Sequence, residues 1–269
     1  MDTLQKYSYL IIGAKDFPSG RNTWFENATG YFIRKGTNLY FATNYHVVTQ
    51  IDPINKVPVG YLSVDTFYIR INSRITHKSF LCMIDVRSVQ KSFHWRRADS
   101  LADLFICKIN LPKESEVYSI EKLIREKTAS LRDSDKIYVY GYPRTVKFPS
   151  SSSIWFGYNS VLASQLILNY NKNRVNLNGS FGNVDKTDFQ ADAIPISNPK
   201  MNRQGFSGSP AFSKVGNNFM FVGTIFASNP DGSSALFVKP NSLFELLRSP
   251  KYEMTGVKVP GLKSTAIKS

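Results

Sequence analysis

The feature that most constrains this chain is a serine between two glycines, within residues 201–210 of sequence MNRQGFSGSP. The glycines allow a sharp turn that would present the Ser207 hydroxyl, and the residues after it are typical of a strand. A serine hydroxyl is a weak nucleophile at neutral pH, so acyl transfer requires a nearby base and a third group that orients the base. The search therefore begins with the three histidines of the sequence.

His46 has the surroundings expected of a catalytic base. It follows the apolar, strand-like residues 39–45 and precedes two valines, so its imidazole should lie where a strand ends and a turn begins. His77 and His94 lie in polar, charge-rich segments and are interpreted as surface or turn histidines.

Asp103 is the candidate for the carboxylate that orients the base. It precedes the apolar residues 104–107, and an unpaired carboxylate at the mouth of such a strand would be costly. A partly buried carboxylate is what fixes an imidazole tautomer. Asp85 and Asp99 are competitors, and an aspartate at a strand start can also simply cap a turn.

The order of these residues along the chain restricts the architecture. No histidine follows Ser207, which excludes the serine, acid, histidine order of α/β-hydrolases. The subtilisin order would need Asp2 or Asp16 as the acid within an α/β chain. His46, Asp103, Ser207 is the order that remains, and it suits a mostly β chain.

Short aromatic and β-branched segments separated by turn residues predict an all-β protein with roughly a dozen strands. The predicted strands are residues 30–34, 39–42, 66–71, 80–84, 104–109, 137–142, 153–163, 211–212, 219–227 and 236–238. Apolar residues at helical spacing predict helices over 115–127 and 241–248.

Six segments resemble successive blocks of the trypsin-like serine peptidases, most closely the bacterial branch that includes the high-temperature-requirement proteases. They are residues 28–33, 41–48, 103–109, 139–143, 205–210 and 222–225. The resemblance spans residues 28–238 and implies two perpendicular six-stranded antiparallel β-barrels, with the catalytic residues in the cleft between them.

The expected organisation is one peptidase domain over residues 1–250 followed by a basic tail over 251–269. The first barrel would occupy about residues 1–112 and the second about 133–250, including the C-terminal helix 241–248. A linker with a short helix, at about 113–132, would connect them. The tail is expected to be partly disordered, and it leaves no room for the C-terminal peptide-binding module of the high-temperature-requirement branch.

Two further departures from the family bear on activation and on the turn. Phe206 stands where chymotrypsin-type enzymes carry an acid that pairs with a new N-terminus, so this chain should lack that activation switch. Ser209 replaces a glycine common in the motif, which adds a hydroxyl without forbidding the turn. A peptidase that stays latent until a protein partner or substrate orders the active-site loop is therefore one reading.

The resemblance also implies how the remaining parts of the site are arranged. The backbone N–H groups of Gly205 and Ser207 would form the oxyanion hole, each contributing on the order of 3 kcal/mol. The specificity pocket would be lined by Met201, Gln204, Ala227 and Ser228. Met201 stands where enzymes that cut after Arg or Lys carry an aspartate, which favours an apolar or small substrate side chain, although a methionine near a strand is also commonly a core residue.

The charge balance leaves a different class of function open. There are 34 Lys and Arg against 20 Asp and Glu, a net charge of +14, which admits an acidic partner such as nucleic acid. The basic residues are scattered, however, which favours a generally basic surface. The alternatives to a peptidase of protein or peptide substrates are thus a non-catalytic peptide-binding or scaffold member of the fold, or a basic nucleic-acid-binding β domain.

Cofactors, metals and membranes are not expected. Cys82 and Cys107 lie in apolar strand-like segments and are predicted to be buried thiols, and with His94 they lack metal-ligand spacing. No signal peptide or long apolar run is present, so we expect a cytoplasmic protein without a membrane partner.

Overall fold

In the part of the chain that it describes, the computed structural model forms two antiparallel β-sheets with two α-helices and two short 3₁₀ turns. The residues that it describes are 3–16, 23–50, 66–77, 79–85, 102–124, 135–142, 162–168, 188–193, 205–228 and 234–248.

The first sheet has six strands in one path, in the order β5-β4-β1-β2-β3-β6, with a short seventh strand, β7, paired to β4. Its strands are β1 (Tyr9–Asp16), β2 (Thr23–Lys35), β3 (Asn38–Thr43), β4 (Thr66–Ser73), β5 (Ser79–Asp85), β6 (Phe105–Lys108) and β7 (Ser115–Glu116). Alternate residues of these strands enclose an aromatic and aliphatic core, in which Phe32 contacts both Tyr9 and Phe41 edge-on.

The second sheet is a closed barrel in the order β10-β13-β12-β11-β8-β9, in which β9 and β10 pair to complete the ring. Its strands are β8 (Lys136–Gly141), β9 (Leu162–Leu168), β10 (Asp188–Ala193), β11 (Pro210–Val215), β12 (Asn218–Ser228) and β13 (Ser234–Val238). A separate apolar cluster fills its interior, and it includes Phe206 and Phe237.

A third apolar cluster joins the two sheets. Tyr31 of β2 is fully buried in it, lies 5.5 Å from the ring of Phe221 in β12, and shares a 2.7 Å hydrogen bond with the hydroxyl of Thr224. Leu243 and Leu247 of the helix α2 (Pro240–Arg248) pack into the same cluster. The two sheets are therefore held in a defined relation, with β2 lying against β12.

The predicted all-β architecture is confirmed, and the second predicted six-stranded barrel closes as expected. The first, also predicted with six strands, is a sheet of seven in the described residues, because β7 pairs with β4. The helix predicted over 241–248 is confirmed as α2. Besides β7, which lies where a helix was predicted, two strands were missed: β1, whose YLIIGAKD sequence mixes glycine and charge, and β10, whose DFQADA sequence has no β-branched residue. Both form because they pair with strands on either side, β1 with β2 and β4, β10 with β13 and β9. The strand predicted over 153–163 reaches the described residues only at Leu162 and Ala163, the first two residues of β9.

The helix predicted over 115–127 is wrong for residues 115–124, and 125–127 lie outside the described residues. Ser115 and Glu116 form β7 opposite Ser73 and Asn72, and only Ile120–Leu123 is helical, as a 3₁₀ turn. Val117 packs on the core of the first sheet, whereas Ile120 is buried between the sheets. The apolar spacing thus reflects contacts with two different cores, and tertiary pairing overrides the local helical pattern.

The predicted domain boundaries stay predictions, and the tail over 251–269 lies outside the described residues.

Candidate active site

His46 and Asp103 lie at the ends of two neighbouring strands of the first sheet. The chain leaves β3 at Thr43 and enters a short helix, α1 (Tyr45–Thr49), which carries His46; Asp103 comes just before β6. Because Thr43 pairs with Phe105, these two strand ends are adjacent. The backbone therefore brings the histidine and the aspartate to the same edge of the sheet.

The contact between the two residues uses both carboxylate oxygens. One oxygen of Asp103 lies 2.5 Å from Nδ1 of His46, and the other accepts the backbone N–H of His46 at 3.0 Å. A carboxylate that accepts from Nδ1–H leaves Nε2 as the basic nitrogen of the neutral ring. The geometry thus fixes the position of the imidazole and its tautomer together.

Burial strengthens this pair. The Asp103 side chain is 3% exposed while that of His46 is 14% exposed, so the acid is sheltered and the ring reaches the surface. Nδ2 of the fully buried Asn44 donates to the Asp103 carbonyl at 2.7 Å, which holds the backbone of the acid. A buried carboxylate needs partners of this kind, because an uncompensated buried charge is strongly unfavourable.

Ser207 lies in a tight turn on the second sheet, just before β11. Gly205 and Gly208 have φ of +96° and +85°, and the N–H of Ser209 donates to the carbonyl of Phe206 at 2.9 Å. Since the C=O and N–H of a trans peptide point in opposite directions, this bond turns the N–H of Ser207 away from the interior of the turn. Ser207 itself is partly exposed.

Hydrogen bonds from both sheets hold this turn. Thr29 of β2 donates its N–H to the Ser207 carbonyl at 2.9 Å and its hydroxyl to the Gly205 carbonyl at 2.7 Å. On the other side, Gly208 donates to the carbonyl of Ile225 at 2.9 Å, and Ile225 donates to the carbonyl of Ser209 at 3.0 Å. The turn that carries Ser207 is therefore fixed to β2. β2 pairs with β3, the strand that leads to His46.

Phe206 is 1% exposed and belongs to the core of the second barrel. The side chain just before Ser207 thus points into an apolar interior, where an acid of the activation-dependent type would be unpaired. Its burial stabilises the turn by roughly 2–3 kcal/mol relative to an exposed ring.

The predicted site residues differ in how near to one another the structure places them. His46 and Asp103 are in direct contact. Ser207 is linked to them through Thr29, whose carbonyl accepts from the hydroxyl of Thr43, three residues before His46, at 2.8 Å. Ala227 is buried in β12 and Ser228 ends that strand, while Met201 and Gln204 lie outside the described residues.

Of the competing acids, Asp85 lies at the end of β5 opposite Thr66, and Asp99 lies outside the described residues.

Thr29 and Asn44 were missed as parts of the site. Both stand in segments that carried the family resemblance, but neither has a side chain that suggests catalysis. Their positions, directly before Gly30 and two residues before His46, were the available signal.

The described residues give no support for a reactive cysteine or for a metal site. Burial raises the pKa of both Cys82 and Cys107 to about 12, so both thiols are protonated at neutral pH and neither is a nucleophile. Within the ranges given above, no cluster of three His, Cys, Asp or Glu residues could bind a metal ion. Nor does any helix in those ranges have the length and apolarity to cross a bilayer.

Comparison with known proteins gives a fold and no closer relationship. No family model and no curated protein matches the sequence. Among solved structures, the chain resembles the active form of the Rv3671c protease from M. tuberculosis, with a TM-score of 0.52 and 13% sequence identity, over 96% of this chain and 85% of that one. This likeness shows the two-barrel, trypsin-like protease fold, and it does not favour the high-temperature-requirement branch in particular.

Proposed function

We propose that this chain is a serine endopeptidase that cleaves peptide bonds through Ser207, His46 and Asp103. The observation that supports this most strongly is the contact of His46 with a buried carboxylate that binds both its ring and its backbone N–H. A surface histidine has no need of such an arrangement, whereas a general base that must keep one tautomer does.

In the proposed reaction, the Ser207 hydroxyl attacks the substrate carbonyl while Nε2 of His46 takes its proton. The same nitrogen then protonates the leaving amine, and an acyl-enzyme forms on Ser207. Water, deprotonated by His46, releases the acyl group. Asp103 keeps the ring oriented and stabilises the imidazolium at each step, and the N–H groups of Gly205 and Ser207 donate to the developing oxyanion.

We further propose that the substrate is a protein or peptide whose apolar or small side chain enters a pocket near Met201, Gln204, Ala227 and Ser228. The preference rests on Met201, which stands where enzymes that cut after Arg or Lys carry an aspartate, while Ala227 belongs to the apolar cluster between the sheets. Activation by a new N-terminus is disfavoured, since Phe206 is packed in the barrel and offers no acid to pair.

Labelling with a fluorophosphonate, which reacts with activated serines, tests this proposal. The wild-type protein should be labelled at Ser207, and Ser207→Ala should lose both labelling and peptide turnover, by about 10⁶-fold in kcat, with little change in melting temperature. Ser213→Ala, which removes a buried serine hydroxyl from the neighbouring strand β11, is the matched control and should keep labelling.

Absence of labelling in the folded wild-type protein, even with peptide substrates and candidate protein partners added, would refute the peptidase and favour a non-catalytic peptide-binding protein. A large loss of stability in Ser207→Ala would show instead that Ser207 is structural.

A further inference from the structure

Thr29 is hydrogen-bonded through both its backbone and its side chain to the turn that carries Ser207, residues 205–209, called the nucleophile turn below. Thr29 lies in β2 of the first sheet and is fully buried. Its backbone N–H and its hydroxyl donate to two carbonyls of the turn, those of Ser207 and Gly205. The hydroxyl also accepts the backbone N–H of Tyr142 at 3.0 Å, and the carbonyl of Thr29 accepts from Thr43.

The directions of these hydrogen bonds are unambiguous. The N–H of Tyr142 can only donate, so the Thr29 oxygen is the acceptor there, and its single proton remains for the Gly205 carbonyl. Every polar group of Thr29 is thereby used. A buried network in which each donor and acceptor is satisfied is stiffer than the same groups in water.

The Gly205 carbonyl is the part of the turn that most needs an outside constraint. Glycine populates positive and negative φ about equally, so the φ of +96° is not imposed by the residue itself. Binding the carbonyl to the Thr29 hydroxyl fixes the peptide that follows Gly205, and binding the Ser207 carbonyl fixes the peptide two residues later. The segment between these two points carries the nucleophile and the N–H of Ser207.

We infer that Thr29 is a positioning residue that holds the nucleophile turn in its oxyanion-binding conformation from the opposite sheet. This inference rests on the peptidase proposed above. The Thr29 hydroxyl would take the part that the activation salt bridge plays in other enzymes of this fold, and it is in place as soon as the two sheets have packed. The enzyme is then active without cleavage of its own chain.

Thr29→Val isolates the hydroxyl, because valine keeps the shape, the burial and the backbone bond to Ser207. We expect kcat to fall about 100-fold with KM within about twofold, and the rate of fluorophosphonate labelling to fall in parallel, as for loss of one oxyanion donor. Thr29→Ser, which restores the hydroxyl, should recover most of kcat.

Thr224→Val is the matched control. Thr224 is also a fully buried threonine between the sheets, but its hydroxyl bonds to Tyr31 and not to the turn. It should lower the melting temperature, by less than Thr29→Val because one hydrogen bond is lost instead of two, while leaving kcat near wild type. If Thr29→Val does not fold, Thr29→Ala and Thr29→Ser give the same comparison at a smaller side-chain size.

The outcomes separate the two proposals. A labelled wild type in which Thr29→Val reacts equally fast, or a kcat that falls equally in Thr224→Val, would overturn the role of Thr29 and leave the peptidase intact. A wild type that is not labelled would refute the peptidase, and the positioning role with it.

Discussion

The two halves of the candidate site are built by different means. On the first sheet, both oxygens of the buried Asp103 carboxylate bind His46, and Asn44 donates to the Asp103 backbone carbonyl. On the second sheet, the turn around Ser207 is held through backbone carbonyls, two left-handed glycines and the burial of Phe206. The first half therefore depends on charge and hydrogen bonding over a short distance, whereas the second depends on shape and on contact with the other sheet.

This difference predicts opposite sensitivities. A substitution that keeps volume but changes hydrogen-bonding capacity should cost more activity in the half with His46, where Asp103 is the target, than in the half with Ser207, where Thr29 is. Adding a single methyl group should damage the half with Ser207 more.

The largest effect is expected for Asp103→Asn, which changes almost no volume. The amide oxygen can still accept the backbone N–H of His46, but the amide NH₂ then faces Nδ1 and requires it to be unprotonated. The ring would adopt the wrong tautomer, with Nε2 protonated and unable to act as a base. We expect kcat to fall about 10⁴-fold.

Steady-state kinetics on a peptide substrate measures this loss, and urea unfolding provides the control, since Asp103→Asn should keep a cooperative unfolding transition. A kcat within tenfold of wild type would mean that the contact between Asp103 and His46 is structural only.

The next largest effect is expected for Gly208→Ala on the other half of the site. A Cβ at this position would lie 2.0 Å from the Thr29 carbonyl oxygen and 2.2 Å from the Thr43 hydroxyl, at a φ of +85°. Neither neighbour can retreat without separating β2 and β3 from the turn. We expect the free energy of unfolding to fall by about 4 kcal/mol, with loss of activity.

Gly216→Ala is the matched control, because its φ of +60° is also positive but no atom lies within 4 Å of the added Cβ. It should cost only the conformational term, about 1 kcal/mol. Equal losses in the two variants, measured by urea denaturation, would show that backbone conformation and not the contact with the first sheet makes Gly208 necessary.

The same difference explains what could be predicted from the sequence. Strand patterns, the order of His46, Asp103 and Ser207, and the C-terminal helix follow from local periodicity and from chemistry that needs particular residue types. Thr29 could not be assigned a role, because its partners Gly205 and Tyr142 are 176 and 113 residues away, and a threonine in a strand is ordinary. The α-helix predicted over 115–127 was wrong for residues 115–124 for a related reason, since the apolar spacing came from two separate cores.

The smallest effect is expected at Ser209, where the chain departs from the glycine common in this motif. The Ser209 side chain is fully buried, and within the described part of the chain its hydroxyl has no hydrogen-bond partner. A buried hydroxyl without a partner costs about 1–3 kcal/mol, so Ser209→Ala should raise the free energy of unfolding by about 1 kcal/mol. Ser8→Ala is the control, because the buried Ser8 hydroxyl donates to the Tyr140 carbonyl at 2.8 Å, and its removal should lower stability by a similar amount. If urea denaturation instead shows equal losses in both variants, the Ser209 hydroxyl is hydrogen-bonded in solution, and the nucleophile turn depends on polar contacts as much as the half with His46 does.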